Sequence, residues 1–177
     1  EPLGTLTPEG ARAAFAEQAA ALAEGGVDFF LIETMSALDE LQAAVEGIRS
    51  VSDLPIAATM TFDTRFRTMM GVKPVQALSA LHDMGVRVIG ANCGNGPDEI
   101  ERVISEMVAV KPDDVFLMAQ SNAGLPKYVD KQIHYDGTPE VMAEYAAKMK
   151  ALGVSYIGAC CGSTPAHIAA MKRALTG

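Results

Sequence analysis

One pattern governs this chain: a helix-forming stretch gives way to a short apolar run, and the pair repeats along the sequence. The apolar runs fall at 27–32 (VDFFLI), 55–61 (PIAATMT), 86–91 (VRVIGA), 115–119 (VFLMA) and 154–159 (VSYIGA). Each is short and bounded by turn-forming residues, which predicts a buried strand rather than a helix. Helix patterns cover 11–24, 36–50, 74–84, 97–110 and 138–152, and a last helix begins near Thr164 and Pro165. In the second helix Leu38, Leu41, Val45 and Ile48 share one face. Thr7 or its neighbour is placed to cap the first helix ahead of Pro8, and Gly25-Gly26, Gly85 and Gly153 stop three of the helices. Strands alternating with helices mean a parallel sheet, because parallel neighbours can be joined only through a crossover.

Two α/β architectures satisfy this pattern. One is a (β/α)8 TIM barrel, of which the chain would hold the last five βα units preceded by a helix. The other is an open five-stranded parallel sheet. A complete barrel takes about 250 residues, so a chain of 177 residues accommodates five of eight units. The loop-like opening Glu1-Pro2-Leu3-Gly4, which does not begin with methionine, favours the barrel. So does the lack of a glycine-rich phosphate loop after the first strand. On this reading residues 1–177 are a single domain, a partial barrel lacking its amino-terminal strands. Its two open sheet edges are a liability, expected to be covered by another copy or by the missing segment.

Composition excludes several functions. Lys and Arg number 14 against 22 Asp and Glu, a net charge of -8 with no basic patch, so nucleic acid is not an expected partner. No apolar run approaches the roughly 20 residues of a membrane span. The odd count of 3 cysteines argues against a disulfide framework and for a reducing compartment, the cytoplasm.

The reactive residues collect at the carboxyl ends of the predicted strands: Glu33, Thr59, Thr61, Asn92, Cys93, Gln120, Asn122, Cys160 and Cys161. Parallel sheets and barrels both place their sites at that end. Three thiolates suit zinc and leave its fourth tetrahedral position open, as in a catalytic site. The alternatives at this point are buried thiols acting as small hydrophobes, or a strained disulfide between adjacent Cys160 and Cys161. Within a strand those two would point to opposite faces, so they can share one ion only if the chain turns there. Gly162 and Gly94 give the freedom to turn. Among the histidines, His82 and His167 read as surface or supporting residues, while His134 lies in a long loop, 122–137, at the active end. Glu33, the one acid among these strand-end residues, either contacts a substrate, caps a helix or pairs with a lysine. Asp39, Glu40 and Glu46 form a solvated helix face, and Met69-Met70 lie in an exposed loop.

With these residues in place, the chain resembles the homocysteine S-methyltransferase family, above all the homocysteine-binding modules of cobalamin-dependent methionine synthases. The motifs are Leu-Ile-Glu-Thr (31–34), Gly-Ala-Asn-Cys-Gly (90–94), Ser-Asn-Ala-Gly-Leu-Pro (121–126) and Gly-Ala-Cys-Cys-Gly-Ser-Thr-Pro-Ala-His-Ile (158–168). The resemblance implies a β/α barrel and one zinc ion on Cys93, Cys160 and Cys161, with the homocysteine sulfur as fourth ligand. It implies transfer of a methyl group to that thiol, giving methionine. Glu33 matches a position that contacts the amino end of the substrate. Asn92 and Asn122, inside family motifs, are further candidate substrate-binding residues. The methyl donor implied is methyl-cobalamin, betaine or S-methylmethionine, and the motif at 121–126 leans to the cobalamin-linked branch. The family's first strands, with their Asp-Gly motif, have no counterpart here. The alternative reading is therefore a non-catalytic zinc-binding fragment that needs the missing strands or a partner copy.

Overall fold

The computed structural model describes residues 4–63 and 65–177. In chain order the elements are α1 (Pro8–Glu24), β1 (Phe30–Met35), α2 (Leu38–Arg49), β2 (Ile56–Met60), α3 (Pro74–Asp83), β3 (Val88–Cys93), α4 (Pro97–Val108) and β4 (Phe116–Ser121). A hairpin of β5 (Lys127–Val129) and β6 (Gln132–His134) follows, then α5 (Pro139–Ala151), β7 (Tyr156–Ala159) and α6 (Pro165–Thr176). None of the described helices is long and apolar enough to cross a membrane.

The five long strands form one parallel sheet in the order β1-β2-β3-β4-β7. Spatial order therefore follows chain order. A doubly wound open sheet reverses its direction at a switch point, whereas a barrel does not. With right-handed crossovers, this order keeps the helices on a single face. On that face Ile89 pairs in register with Leu117, and Ala91 with Ala119. All four side chains are buried in the main apolar cluster with Leu41, Leu81, Ile104 and Met149.

The opposite face is concave and polar towards the carboxyl ends. Gln120 Nε2 of β4 donates to Glu33 Oε1 of β1 at 2.8 Å. Asn92 Nδ2 of β3 donates to Thr34 Oγ1 of β1 at 2.7 Å. In a flat sheet β1 and β4 would stand about 14 Å apart; side chains can join them only if the sheet is strongly curled. The fold is thus part of a TIM barrel rather than an open sheet. Among the described residues β1 and β7 each have one strand neighbour, so both are sheet edges. Phe116 and Tyr156, on the concave side of β4 and β7, are 51% and 48% exposed. A closed barrel would cover such residues.

Sequence and structure differ at the strand starts, and the reason recurs. The valines that open three predicted strands belong instead to helix stops. Val27 N–H donates to Leu22 O, Val86 N–H to Leu81 O and Val154 N–H to Met149 O. In each case the residue before is a left-handed glycine: Gly26, Gly85 and Gly153, with φ of 82°, 79° and 82°. This is the helix-ending motif in which the second residue past the cap bonds back into the last turn. The valine amide is therefore unavailable to a neighbouring strand, and pairing begins two or three residues later. The long loop at 122–137 also departs from expectation, because part of it folds into the β5–β6 hairpin.

Two close approaches fix the layers. At Gly47 of α2, an added Cβ would lie 2.6 Å from the Arg12 carbonyl oxygen of α1, so the two helices pack backbone to backbone. At Gly90 of β3, a Cβ would run into the Met118 carbonyl of β4. That obstacle is backbone and cannot rotate away. Gly90→Ala is expected to lower stability by about 1–3 kcal/mol, read as a lower urea midpoint with an unchanged slope.

Candidate metal centre

The three cysteine sulfurs meet at the carboxyl end of the concave face. Cys93 Sγ and Cys160 Sγ each lie 3.9 Å from Cys161 Sγ, and all three fall within 4.8 Å of one another. All three thiols are free, so the adjacent pair is not a disulfide. Sulfurs bound to one tetrahedral zinc at about 2.3 Å stand about 3.8 Å apart. The triangle therefore fits zinc in spacing and in donor chemistry. Cys161 is exposed while Cys93 and Cys160 are partly buried, so the cluster is open on its Cys161 side.

Strand geometry alone would not bring the sulfurs together. Alternation along β3 would send Cys93 to the same side as Ala91, away from the concave face. Cys93 instead takes a left-handed backbone, φ 66°, continued by Gly94 at φ 69°. For a non-glycine residue this costs about 1–2 kcal/mol. At the other wall β7 ends at Ala159, before the cysteine pair. The chain then turns through Cys161 and Gly162, the glycine at φ 80°. The turn lets two consecutive side chains face the same point.

Two asparagines hold these strand ends. Asn122 Nδ2 donates to Gly94 O at 2.7 Å, and its Oδ1 accepts from Cys161 N–H at 3.0 Å. One buried amide thus clamps the residue after the first cysteine to the third. Asn92 Oδ1 accepts from Thr34 N–H and Thr59 Oγ1–H, both at 2.8 Å. Its Nδ2 donates to Thr34 Oγ1 and reaches Cys160 Sγ at 3.8 Å. Both lone pairs and both N–H groups of this amide are engaged by protein. The contact also holds Thr34 in its left-handed conformation, φ 63°. Glu33, beside Thr34, is exposed and bonded to Gln120.

The histidines stand elsewhere. His82 pairs with Asp114 at 3.1 Å at the opposite end of the sheet, where the helices finish and the strands start. His134 is exposed on the hairpin. His167 is buried. Its Nδ1 accepts from Thr164 N–H at 3.0 Å, which leaves Nε2 to donate to Gly137 O at 2.9 Å. It therefore ties the start of α6 to the segment that follows the hairpin. The neighbour of His134, Tyr135, is the residue that sequence reasoning missed. Its ring lies against Gly162, where any Cβ would strike it. Burial, then the charge of the Cys161 thiolate, raise the Tyr135 phenol above its ordinary value. The only trace in the sequence was Gly162 itself, a residue that leaves room for a ring.

Burial is the largest influence on the Cys93 thiol, followed by repulsion from Cys160; together they push it up to about 11. The Cys93 thiol resists ionisation unless a cation joins it, and a coordinated metal deprotonates its thiol ligands.

The profile of the family described as homocysteine S-methyltransferase matches residues 1–175. The methionine synthase of Mycobacterium tuberculosis (strain ATCC 25618 / H37Rv) is 36% identical over 163 residues, covering 89% of this chain and 14% of that protein. That of Mycobacterium leprae (strain TN) is 34% identical over 163 residues, with 89% and 13% covered. The chain thus spans about a seventh of the curated relatives it matches. In fold it is similar to the homocysteine methyltransferase MmuM from Escherichia coli. The apo form gives a TM-score of 0.76 at 20% identity, over 96% of this chain and 58% of that one. The metallated form gives 0.72 at 22% identity, over 92% and 51%.

The raised Cys93 pKa has a consequence for stability. Between the ordinary thiol value of 9.0 and about 11, the folded metal-free protein holds a proton that the unfolded chain releases. Its contribution is therefore fully present below pH 9 and lost as pH rises through 11. Chelator-treated protein should show a falling urea midpoint over that window. Cys93→Ser should flatten the fall, and an identical pH profile in the variant would contradict this account.

Proposed function

The chain belongs to the homocysteine S-methyltransferase family, and on that footing we propose that it takes part in zinc-dependent transfer of a methyl group to the thiol of homocysteine, giving methionine. The observation that carries the reading is the triangle of free thiols, with two edges of 3.9 Å. Cys93, Cys160 and Cys161 would hold the ion. When bound, zinc supplies the acidity that brings an incoming thiol to its thiolate at neutral pH.

The remaining work falls to the chain's own groups. Three cysteinate charges exceed the ion's double charge, so a substrate sulfur beside them stays electron-rich. Glu33 offers a carboxylate to the substrate's ammonium. Asn92 and Asn122 serve the same site by fixing the strand ends that form its walls. In the transfer the substrate thiol gives up its proton to solvent. A sulfur–carbon bond forms as the methyl group leaves its donor, and the electron pair of the broken bond stays with the donor. The donor is methyl-cobalamin, betaine or S-methylmethionine. A reducing compartment such as the cytoplasm suits three free thiols.

A second reading follows from the sheet edges. Phe116 and Tyr156 are half exposed on the concave side, and β1 and β7 each lack a second neighbour among the described residues. We propose that further strands, supplied by an adjoining segment or a second copy, seat between β1 and β7. Until they do, this unit binds zinc without turning over.

Both readings meet in one set of measurements. The chain is expected to carry one zinc ion by elemental analysis. Methionine formation, assayed with each of the three donors, should require the segment that completes the barrel. Cys160→Ser should lower zinc occupancy and reduce turnover by more than the roughly 10–100-fold typical of losing an outer partner of a metal site. Unchanged zinc content in that variant would rule out the cysteine triad as the metal site.

A further inference from the structure

Gln120 is a polar side chain of the concave face that the proposed function leaves without a task. On β4 it stands in register with Asn92 of β3 and with Gly158 of β7. Those partners lie one residue before Cys93 and two before Cys160, so Gln120 sits at the level of the thiol cluster on both sides. Its Nε2 donates to Glu33 Oε1 at 2.8 Å. Its Oε1 is buried and has no hydrogen-bond partner among the described residues. The amide cannot simply be flipped, because that would set two acceptor oxygens against each other. A buried carbonyl without a donor is costly, and such groups in native folds call for an explanation. Gly158 makes room for this side chain: a Cβ there would come within 3.1 Å of Gln120 Cγ.

An acceptor oxygen without a donor and a carboxylate joined to the same amide make a receptor for a compact cation with several N–H groups. A primary ammonium has three such donors and no acceptor. We infer that Gln120 sets specificity for the amino end of the thiol substrate: it aims the Glu33 carboxylate into the barrel and offers its own carbonyl to the same ammonium. This rests on the proposed function and adds to it a second contact for the amino group. Gln120 is a positioning and recognition residue that takes no part in the sulfur–carbon bond being formed. A thiol with the same chain and carboxylate but no amine gains nothing from it.

The test uses the zinc-loaded protein with its barrel complete, titrated calorimetrically with homocysteine and with 4-mercaptobutyrate, its analogue without the amine. Gln120→Met keeps the side-chain volume and removes both polar atoms. It should weaken homocysteine binding about tenfold, the scale of one hydrogen bond to a charged group, and leave 4-mercaptobutyrate within about twofold. In turnover, KM for homocysteine should rise with kcat retained, the mark of binding lost equally in ground and transition states. Gly158→Ala, which crowds the amide without touching Glu33, should give the same selectivity at smaller size. Equal weakening of both thiols, or no change with homocysteine, overturns the inference and leaves the proposed function standing. If neither thiol binds the unaltered zinc-loaded protein, the proposed function fails and the inference with it.

Discussion

The concave face of this fold depends on one buried side chain, the amide of Asn92. It joins the ends of β1, β2 and β3 and touches the first cysteine beyond β7. Its backbone carbonyl also accepts from Thr61 Oγ1 at 3.1 Å. A polar group buried among strands is costly unless every position is engaged, and here all four are. The polar end of the barrel is stable because this amide is saturated. The left-handed Thr34 is held by the same contacts.

From that centre the thiol cluster follows as a problem of direction. A parallel sheet delivers residues to one end but alternates their faces, so three cysteines from two strands would naturally scatter. The chain corrects this twice, with a left-handed residue at Cys93 and with a strand that stops one residue before Cys160. Asn122 locks the two corrections together through Gly94 and Cys161. The strain sits where the chemistry requires it, and buried hydrogen bonds offset it. Tyr135 packs its ring on Gly162, beside the cysteine pair.

Much of this was legible beforehand. The alternation of apolar runs and helices identified five parallel strands, because burial on both faces leaves a continuous apolar signature. The strand-end polar residues marked the active end for a topological reason that needs no coordinates. Three of the five strands start two or three residues later than their apolar runs, since an apolar valine serves a helix stop as well as a strand. The hairpin at 127–134 leaves little mark in the sequence, because its strands are three residues long and exposed. Asn92 and Asn122 were singled out as candidate site residues, but nothing in a linear motif shows that their amides face protein. Gln120 was seen as a strand-end residue, yet its tie to Glu33 spans 87 positions and exists only because the sheet curls.

The sequence by itself determined the parallel α/β class, the end of the sheet that carries the chemistry, and the three residues able to share a soft metal. Each is written in local periodicity or in residue type. Only the tertiary structure decided that strand order runs without reversal, that the sheet curls, and that three sulfurs converge within 4.8 Å. Those depend on backbone conformation at single residues and on hydrogen bonds between strands far apart in sequence. Local composition specifies which elements form, whereas convergence of side chains is a property of how those elements pack.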